Sequence, residues 1–291
     1  MKYITIYLST CDKTSYILPA TIYLYKKFIN TLIPKFKILG FSKPNLPDWE
    51  NVEFIELSNE PQDISKWSMY LYNYFKNIDE ENIFFALDDF FPINYLNKNA
   101  YEYVINFMKQ NKDIGYCIID QEPSACPKRN EYDSTIIENE NMFIYKRKKN
   151  VNYQICLQPG IWNREYLCMI FNNNFTPWQI ELNATPIANN LNTYYNISCS
   201  KNLNYKKCIM SYSTQSSLSS KWNGISVLGL KHDIVLELIN NNLVSSDNLL
   251  IGAWNNYIKF NSKYKITNLE FLSLCKNEFT PWIELYSDFY E

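Results

Sequence analysis

The chain has 291 residues, of which 46% are hydrophobic and 16% aromatic, a composition that allows a sizeable core and argues against wholesale disorder. Its 28 basic and 30 acidic residues give a net charge of −2, which argues against a nucleic-acid-binding protein that depends on bulk positive charge. The six glycines form neither a dinucleotide-binding motif nor a P-loop, so a glycine-cradled phosphate loop of either kind is excluded.

The eight cysteines are scattered along the chain, without a CxxC pair or the spacing of a zinc site. This favours free thiols in a reducing compartment over a disulfide framework. The N-terminal residues form a strand pattern without the features of a signal peptide, and no stretch of about 18 apolar residues is present. We therefore expect a cytoplasmic protein, of a bacterium or of the host cell if it is viral, with no transmembrane segment.

Predicted strands and helices alternate along the first 120 residues. The strands are expected at 3–8, 36–41, 52–57, 82–87 and 114–119, and the helices at 16–29, 63–76 and 100–110. This alternation is typical of an α/β domain with a largely parallel sheet.

The pattern changes after residue 120. A polar loop is predicted at 121–133, followed by a hairpin at 134–157 with the basic run at 146–149 as its solvated tip. Further elements are expected as helices at 162–172, 178–190 and 232–241, and as a strand near 205–212. Because no segment has the composition of a linker, we expect one domain over residues 1–291, with a C-terminal elaboration.

Two adjacent aspartates, Asp88 and Asp89, follow the apolar strand predicted at 82–87. Ligands of open α/β sheets bind beyond the carboxyl ends of the strands, where a cation can offset the charge of both carboxylates. Neighbouring carboxylates suit Mg²⁺ or Mn²⁺, which usually bind one or two acidic side chains together with substrate phosphates. Alternatively, one aspartate caps the following segment and the other faces solvent. Residue chemistry alone favours neither interpretation.

Several segments resemble a bacterial and viral group of GT-A glycosyltransferases, in the expected order over roughly residues 3–185. The run Phe-Phe-Ala-Leu-Asp-Asp-Phe at 84–90 resembles the acidic motif at the end of their metal-binding strand. The other matching segments are the first loop at 10–12, a Trp-Ser segment at 64–68, a Gln-Pro-X-Ile-Trp-like junction at 157–167, a Pro-Trp-X-X-Glu segment at 177–181 and, loosely, 221–224.

The resemblance implies a GT-A-like, Rossmann-like fold, in which helices flank a mixed and mostly parallel sheet. It implies a nucleotide-sugar-binding half at 1–120 and an acceptor-side half, with the C-terminal elaboration, at 121–291. The implied activity is transfer of a sugar from a nucleotide-sugar donor to a hydroxyl acceptor on a glycan, lipopolysaccharide, capsule or glycoprotein. Such an enzyme would use Mn²⁺ or Mg²⁺ and invert the anomeric configuration.

Site residues are carried over from the same resemblance. They are Thr10, Asp12, Trp67 and Asp88 for the nucleotide sugar, Asp89, Asp88 and His232 for the metal, Gln158, Trp162 and Trp178 for the acceptor, and Glu181 as the catalytic base. The three tryptophans also suit the core, and the lone histidine stands at a predicted helix start, where it can be structural or solvated. Asp12 also suits a turn.

Glu181 falls one turn into a helix that Pro177 begins, so it can simply interact favourably with the helix dipole. As a base it would take the proton of the acceptor hydroxyl, and Asp120 and Glu122 would be the next candidates. We also expect Asp12, Trp67 and Asp88 to line one concave site at the carboxyl edge of the sheet.

Two other classes of protein stay open. A nucleotidyltransferase would also use paired acids and a divalent cation, but the chain lacks a glycine-rich N-terminal loop with Lys or Arg for a triphosphate. A non-catalytic carbohydrate-binding module would use the tryptophans and would need neither the aspartate pair nor a metal.

Overall fold

The computed structural model describes residues 2–59, 62–119, 132–139, 142–149, 154–200, 209–210, 212–214, 225–226, 232–244 and 249–250. The strands are β1 (Tyr3–Ser9), β2 (Ile33–Gly40), β3 (Val52–Glu56), β4 (Asn82–Leu87), β5 (Phe90–Pro92), β6 (Ile114–Ile118), β7 (Tyr132–Asn139), β8 (Met142–Arg147), β9 (Gly160–Asn163), β10 (Tyr195–Ser200), β11 (Tyr212–Thr214), β12 (Ile225–Ser226) and β13 (Leu249–Leu250). The α-helices are α1 (Leu18–Phe28), α2 (Trp67–Phe75), α3 (Lys98–Gln110), α4 (Arg164–Phe171), α5 (Pro177–Asn190) and α6 (His232–Asn240). Short 3₁₀ turns at Ser15–Ile17 and Ile64–Lys66 lead into α1 and α2.

Nine strands form one sheet in the order β3-β2-β1-β4-β9-β6-β10-β8-β7. The pairs β3–β2, β2–β1, β1–β4 and β6–β10 are parallel. Strand β9 runs antiparallel to both of its neighbours, β4 and β6, and β8 runs antiparallel to β10 and β7. Because β9 and β8 are the two reversed strands, the other seven share one direction. The expected α/β class, with a mixed and mostly parallel Rossmann-like sheet, is therefore confirmed.

Helices cover both faces of the sheet. Phe84 and Ala86 of β4 pack in the layer that contains α1 and α3. Ile83 and Phe85 pack in the layer that contains α2, α4 and α5. Strands that are buried on both faces require continuous apolar runs rather than an alternating pattern, which explains why this segment of the sequence is uniformly apolar.

The hairpin was predicted with the wrong turn. Strands β7 and β8 pair with Asn139 opposite Met142, and the basic residues Lys146 and Arg147 lie within β8. The Lys146 ammonium lies over the ring of Tyr195, 4.5 Å from its centre, and Arg147 is only 2% exposed. Lys146 and Arg147 are held within the sheet because β8 also pairs with β10, whereas Lys148 and Lys149 follow the strand and are exposed, as predicted for the basic run.

The remaining differences concern short strands. The helix predicted at 162–172 begins at Arg164, because Gly160–Asn163 forms β9 and the Asn163 side chain caps the helix by accepting from the Tyr166 amide. Strand β10 was not predicted. The predicted loop at 121–133 and strand near 205–212 fall mostly outside the described residues.

Within the part of the chain that the structure describes, no helix is long and apolar enough to cross a membrane.

Candidate functional site

A cavity of about 260 Å³ opens beyond the carboxyl ends of β1 and β4. Its polar lining residues include three acidic residues, two threonines and a lysine, namely Asp88, Asp89, Glu181, Thr10, Thr14 and Lys13. Its apolar lining residues include Ile64, Trp67, Leu157, Pro177 and Trp178. The cavity thus combines charged and hydrophobic side chains.

The pairing of β1 with β4 brings the two strand ends together. Ser9 stands opposite Leu87, so Thr10 and Asp88 are the next residues of the two strands. The Asp88 amide donates to the Ser9 carbonyl at 3.0 Å, and the Thr10 amide donates to the Leu39 carbonyl at 2.9 Å. Parallel pairing therefore fixes the backbone of both residues at the rim of the cavity.

The Asp88 carboxylate is held by threonine hydroxyls. Its Oδ2 accepts from Thr10 Oγ1 at 2.6 Å and from Thr14 Oγ1 at 2.7 Å, and its backbone carbonyl accepts from Thr21 Oγ1 at 2.7 Å. Burial raises the pKa of Asp88 to about 6, an effect that these hydroxyls partly oppose. A ligand that brings positive charge to this carboxylate would relieve the cost of burying it.

Asp89 is 6% exposed and lines the same cavity. Two adjacent carboxylates provide the oxygen donors that Mg²⁺ and Mn²⁺ prefer, so this part of the donor set fits the expected metal. Among the described residues, no group of three or more acidic, histidine or cysteine side chains could hold a metal ion. Mg²⁺ usually completes its coordination with water and substrate phosphates.

The candidate metal ligand His232 begins α6, as the sequence predicted for a helix at this point. Its side chain lies outside the part of the chain that the structure describes, so its role as a ligand stays a prediction. The alternative bases Asp120 and Glu122, and the loosely matched segment at 221–224, also fall outside the described residues.

Glu181 reaches the cavity from the start of α5. This helix begins with Pro177 and a capping box, in which Thr176 and Gln179 each satisfy the other's backbone amide. The Leu157 amide donates to Glu181 Oε1 at 2.8 Å, and the Cys156 thiol donates a second hydrogen bond to the carboxylate. Burial raises the pKa of Glu181, and these two donors partly oppose the shift. A carboxylate in such surroundings is more basic than one in water.

The reversed direction of β9 explains how Leu157 reaches Glu181. An antiparallel strand enters the sheet at the edge where the parallel strands end, so the residues just before Gly160 lie beside the cavity. Glu181 is thus held by the segment that enters β9, while Asp88 follows the neighbouring strand β4.

The three tryptophans have different environments. Trp178 is 72% exposed and lines the cavity, as expected of a residue that contacts an acceptor. Trp67 is buried, donates its indole N–H to Ser9 Oγ at 3.1 Å and still lines the cavity. Trp162, by contrast, is completely buried and stacks on Tyr116 with ring centres 4.1 Å apart. The expectation that Trp162 contacts an acceptor is therefore corrected, since its ring is enclosed in the core.

Two other predicted residues lie beside the cavity rather than on its wall. Asp12 is exposed, and its carboxylate accepts from the amide and the hydroxyl of Ser42 at 3.1 and 2.8 Å. This contact ties the loop after β1 to the loop after β2, which matches the turn interpretation of Asp12. Gln158 accepts from the Tyr116 hydroxyl through its backbone carbonyl, at 2.9 Å. Asp12, Trp67 and Asp88 were predicted to line one cavity. Trp67 and Asp88 do so, but the Asp12 side chain does not.

Sequence reasoning missed Lys13, Thr14 and Cys156. Lys13 is the one cation among the described residues that line the cavity. A signal for Lys13 and Thr14 existed, because both follow Thr10 closely in the loop that leaves β1. No pattern in the neighbouring sequence indicates the contact of Cys156 with Glu181.

The fold and the site together define a Rossmann-like α/β protein with an acidic cavity at the carboxyl edge of its sheet. No protein-family model and no curated protein matches the chain. The solved structures similar to it include two of S. aureus TarS. The structure of TarS residues 1–349 is 13% identical, with a TM-score of 0.34, over 56% of this chain and 47% of that one. A second TarS structure is 13% identical, with a TM-score of 0.40, over 82% of this chain and 40% of that one. The chain therefore spans less than half the length of either.

Proposed function

We propose that this protein is a glycosyltransferase that moves a sugar from a nucleotide-sugar donor to a hydroxyl acceptor on a glycan or similar molecule. The observation that carries the proposal is the convergence of Asp88, Asp89 and Glu181 on one cavity that is also lined by apolar side chains. A sugar ring has hydroxyl edges and an apolar C–H face, and a nucleoside diphosphate adds negative charge that needs a cation. The cavity offers a complement to each of these features.

On the donor side, Asp88 and Asp89 would hold Mn²⁺ or Mg²⁺, which would stabilise the negative charge of the departing nucleoside diphosphate. Thr10 orients Asp88 through its hydroxyl. Lys13, at the mouth of the cavity, adds a positive charge that suits the same diphosphate. Trp67 provides part of the apolar lining against which the donor would lie.

On the acceptor side, Glu181 would act as the base. Its carboxylate, held at Oε1 by the Leu157 amide, would take the proton from the acceptor hydroxyl. The exposed face of Trp178 would support the ring of the acceptor. One base and one direct displacement need no covalent intermediate, so we propose that the reaction inverts the anomeric configuration.

The two other classes of protein explain the cavity less well. A carbohydrate-binding module would leave three acidic residues in the cavity without a role. A nucleotidyltransferase would have to bind a triphosphate with Lys13 as the one cation among the described lining residues. The four described free cysteines fit a reducing compartment, and we place the reaction in the cytoplasm on that ground.

The proposal is tested with a panel of nucleotide sugars, by measuring donor hydrolysis and transfer with Mn²⁺, with Mg²⁺ and in excess chelator. We expect metal-dependent release of a nucleoside diphosphate from at least one donor. We also expect Glu181→Gln to lose most of its transfer of the sugar to an acceptor. Release of pyrophosphate would instead favour a nucleotidyltransferase. Glycan binding without any turnover or binding of nucleoside diphosphate would favour a carbohydrate-binding module.

A further inference from the structure

We propose that Thr14 is a positioning residue that fixes the Asp88 carboxylate, so that a single oxygen, Oδ1, is offered to the ligand. The identity of that ligand, a metal-bound nucleoside diphosphate, rests on the proposed function. The contact between Thr14 and Asp88 is independent of the proposed function, because it is a feature of the fold.

The hydroxyl of Thr14 is diverted from its usual local role. Thr14 stands at the position before the 3₁₀ turn Ser15–Ile17, where a threonine side chain commonly caps the turn by accepting from a backbone amide. Here no side-chain cap is made, and Thr14 Oγ1 instead donates to Asp88 Oδ2 at 2.7 Å, across 74 positions of sequence. The loop after β1 is thereby joined to the end of β4.

The backbone of the loop has its own hydrogen bonds. The Thr14 amide donates to the Cys11 carbonyl at 3.0 Å, and the Ile17 amide donates to the Thr14 carbonyl at 2.9 Å. The Thr14 hydroxyl also lies 3.4 Å from the Cys11 carbonyl and 3.2 Å from Cys11 Sγ, but its shortest contact is the 2.7 Å hydrogen bond to Asp88. The backbone bonds would keep the turn in place if the hydroxyl were removed, whereas Asp88 would lose one of its two donors.

The consequence for Asp88 follows from the geometry of a carboxylate. The torsion that rotates its two oxygens is soft, so an unrestrained aspartate would present either oxygen to the cavity. With Thr10 and Thr14 both donating to Oδ2, this oxygen is committed to the protein and Oδ1 is left for the ligand. A side chain already fixed in its bound orientation loses less entropy when the ligand arrives, so binding is tighter.

The test compares Thr14→Val, which keeps the shape but lacks the hydroxyl, with Thr14→Ser, which keeps the hydroxyl. Ser15→Ala is the matched control, because Ser15 Oγ donates to the Asp12 carbonyl within the same loop, at 3.1 Å. Affinity for a nucleoside diphosphate in Mn²⁺ is measured by calorimetry, and KM and kcat for donor hydrolysis are measured alongside. Because the hydrogen bond is present before and after binding, only the lost pre-organisation of Asp88 weakens affinity, and we expect about 2- to 10-fold weaker binding in Thr14→Val, chiefly through KM. Thr14→Ser should recover most of this loss, and Ser15→Ala should stay close to wild type.

Equal affinity in wild type and Thr14→Val would overturn the inference. Equal losses in Thr14→Val and Thr14→Ser would also overturn it, since packing of the loop and not the hydroxyl would then be responsible. A double-mutant cycle of Thr14→Val with Asp88→Ala, measured by denaturant unfolding in chelator, tests the contact without any ligand. We expect the two changes to be coupled by about tenfold in the unfolding equilibrium. If wild type binds no nucleoside diphosphate, the proposed function fails. The double-mutant cycle still tests Thr14 in that case, because additive effects of the two substitutions on the unfolding equilibrium would refute the contact.

Discussion

Replacing Asp88 with asparagine removes one buried charge from the cavity but keeps the shape of the side chain and an oxygen that can accept from Thr10 and Thr14. Burial raises the pKa of the Asp88 carboxyl from its ordinary 3.8 to about 6 in the folded protein. Between these two values the folded state holds a proton that the unfolded chain has released. The stability of the metal-free wild type therefore falls as the pH rises through this window, and the loss is complete above the folded-state pKa.

The size of the effect follows from the difference between the two pKa values. A shift of about two units corresponds to about 3 kcal/mol, so Asp88→Asn should be more stable than wild type by roughly this amount at about pH 7.5 in chelator. Near pH 4 the two proteins should be similar, since Asp88 is then protonated when folded. Saturating Mn²⁺ should stabilise wild type at about pH 7.5 and close the gap.

The assay is urea unfolding of both proteins in chelator, from about pH 4 to about pH 8. Asp79→Asn is the control, because it removes the charge of an exposed aspartate outside the cavity. Parallel pH profiles for wild type and Asp88→Asn would refute the reasoning, since Asp88 would then be as well solvated in the folded protein as in the unfolded chain.

Three further predictions concern the metal, the base and the core. Asp89→Asn should abolish turnover and Mn²⁺-dependent binding of nucleoside diphosphate while raising thermal stability in chelator, because a buried charge disappears; full wild-type activity in excess chelator would contradict this. Glu181→Gln should keep donor binding but lower the transfer rate by about 10²- to 10⁴-fold, and NMR of the wild-type product should show inversion. A wild-type rate in that variant or a retained configuration would redirect the search to Asp120 and Glu122. Gly160→Ala should lower the free energy of unfolding by about 1–3 kcal/mol in urea titrations, because its new Cβ would overlap the Tyr116 ring; an unchanged midpoint would show that the ring can move away.

Part of the fold and of the candidate site could be predicted from hydrophobic periodicity and from the positions where the predicted strands end. The apolar run of β4 predicted a strand buried on both faces, and its end correctly predicted where the aspartates lie, because a parallel sheet gathers its carboxyl ends at one edge. Pro177 likewise marked the start of α5 and placed Glu181 one turn into it.

The rest depended on contacts that are distant in sequence. Trp162 and Trp178 are the same residue type, and only the sheet decides that the first is enclosed and the second exposed. Strand β9 has four residues and leads directly into a helix, so its apolar positions resemble the start of that helix. The partner of Thr14 lies 74 positions away, and no local pattern indicates it.

Because β9 is reversed, the residues that line the cavity come from two separate parts of the chain. Among the described lining residues, both aspartates and their neighbours in the cavity come before residue 91, whereas Leu157, Trp178 and Glu181 come from the segment that enters β9 and from α5. Because β9 lies between β4 and β6 in the sheet, the segment that enters it is anchored to the strand that leads to the aspartates. The β4–β9 pairing thereby fixes the candidate base relative to the aspartates, although the two come from separate parts of the chain.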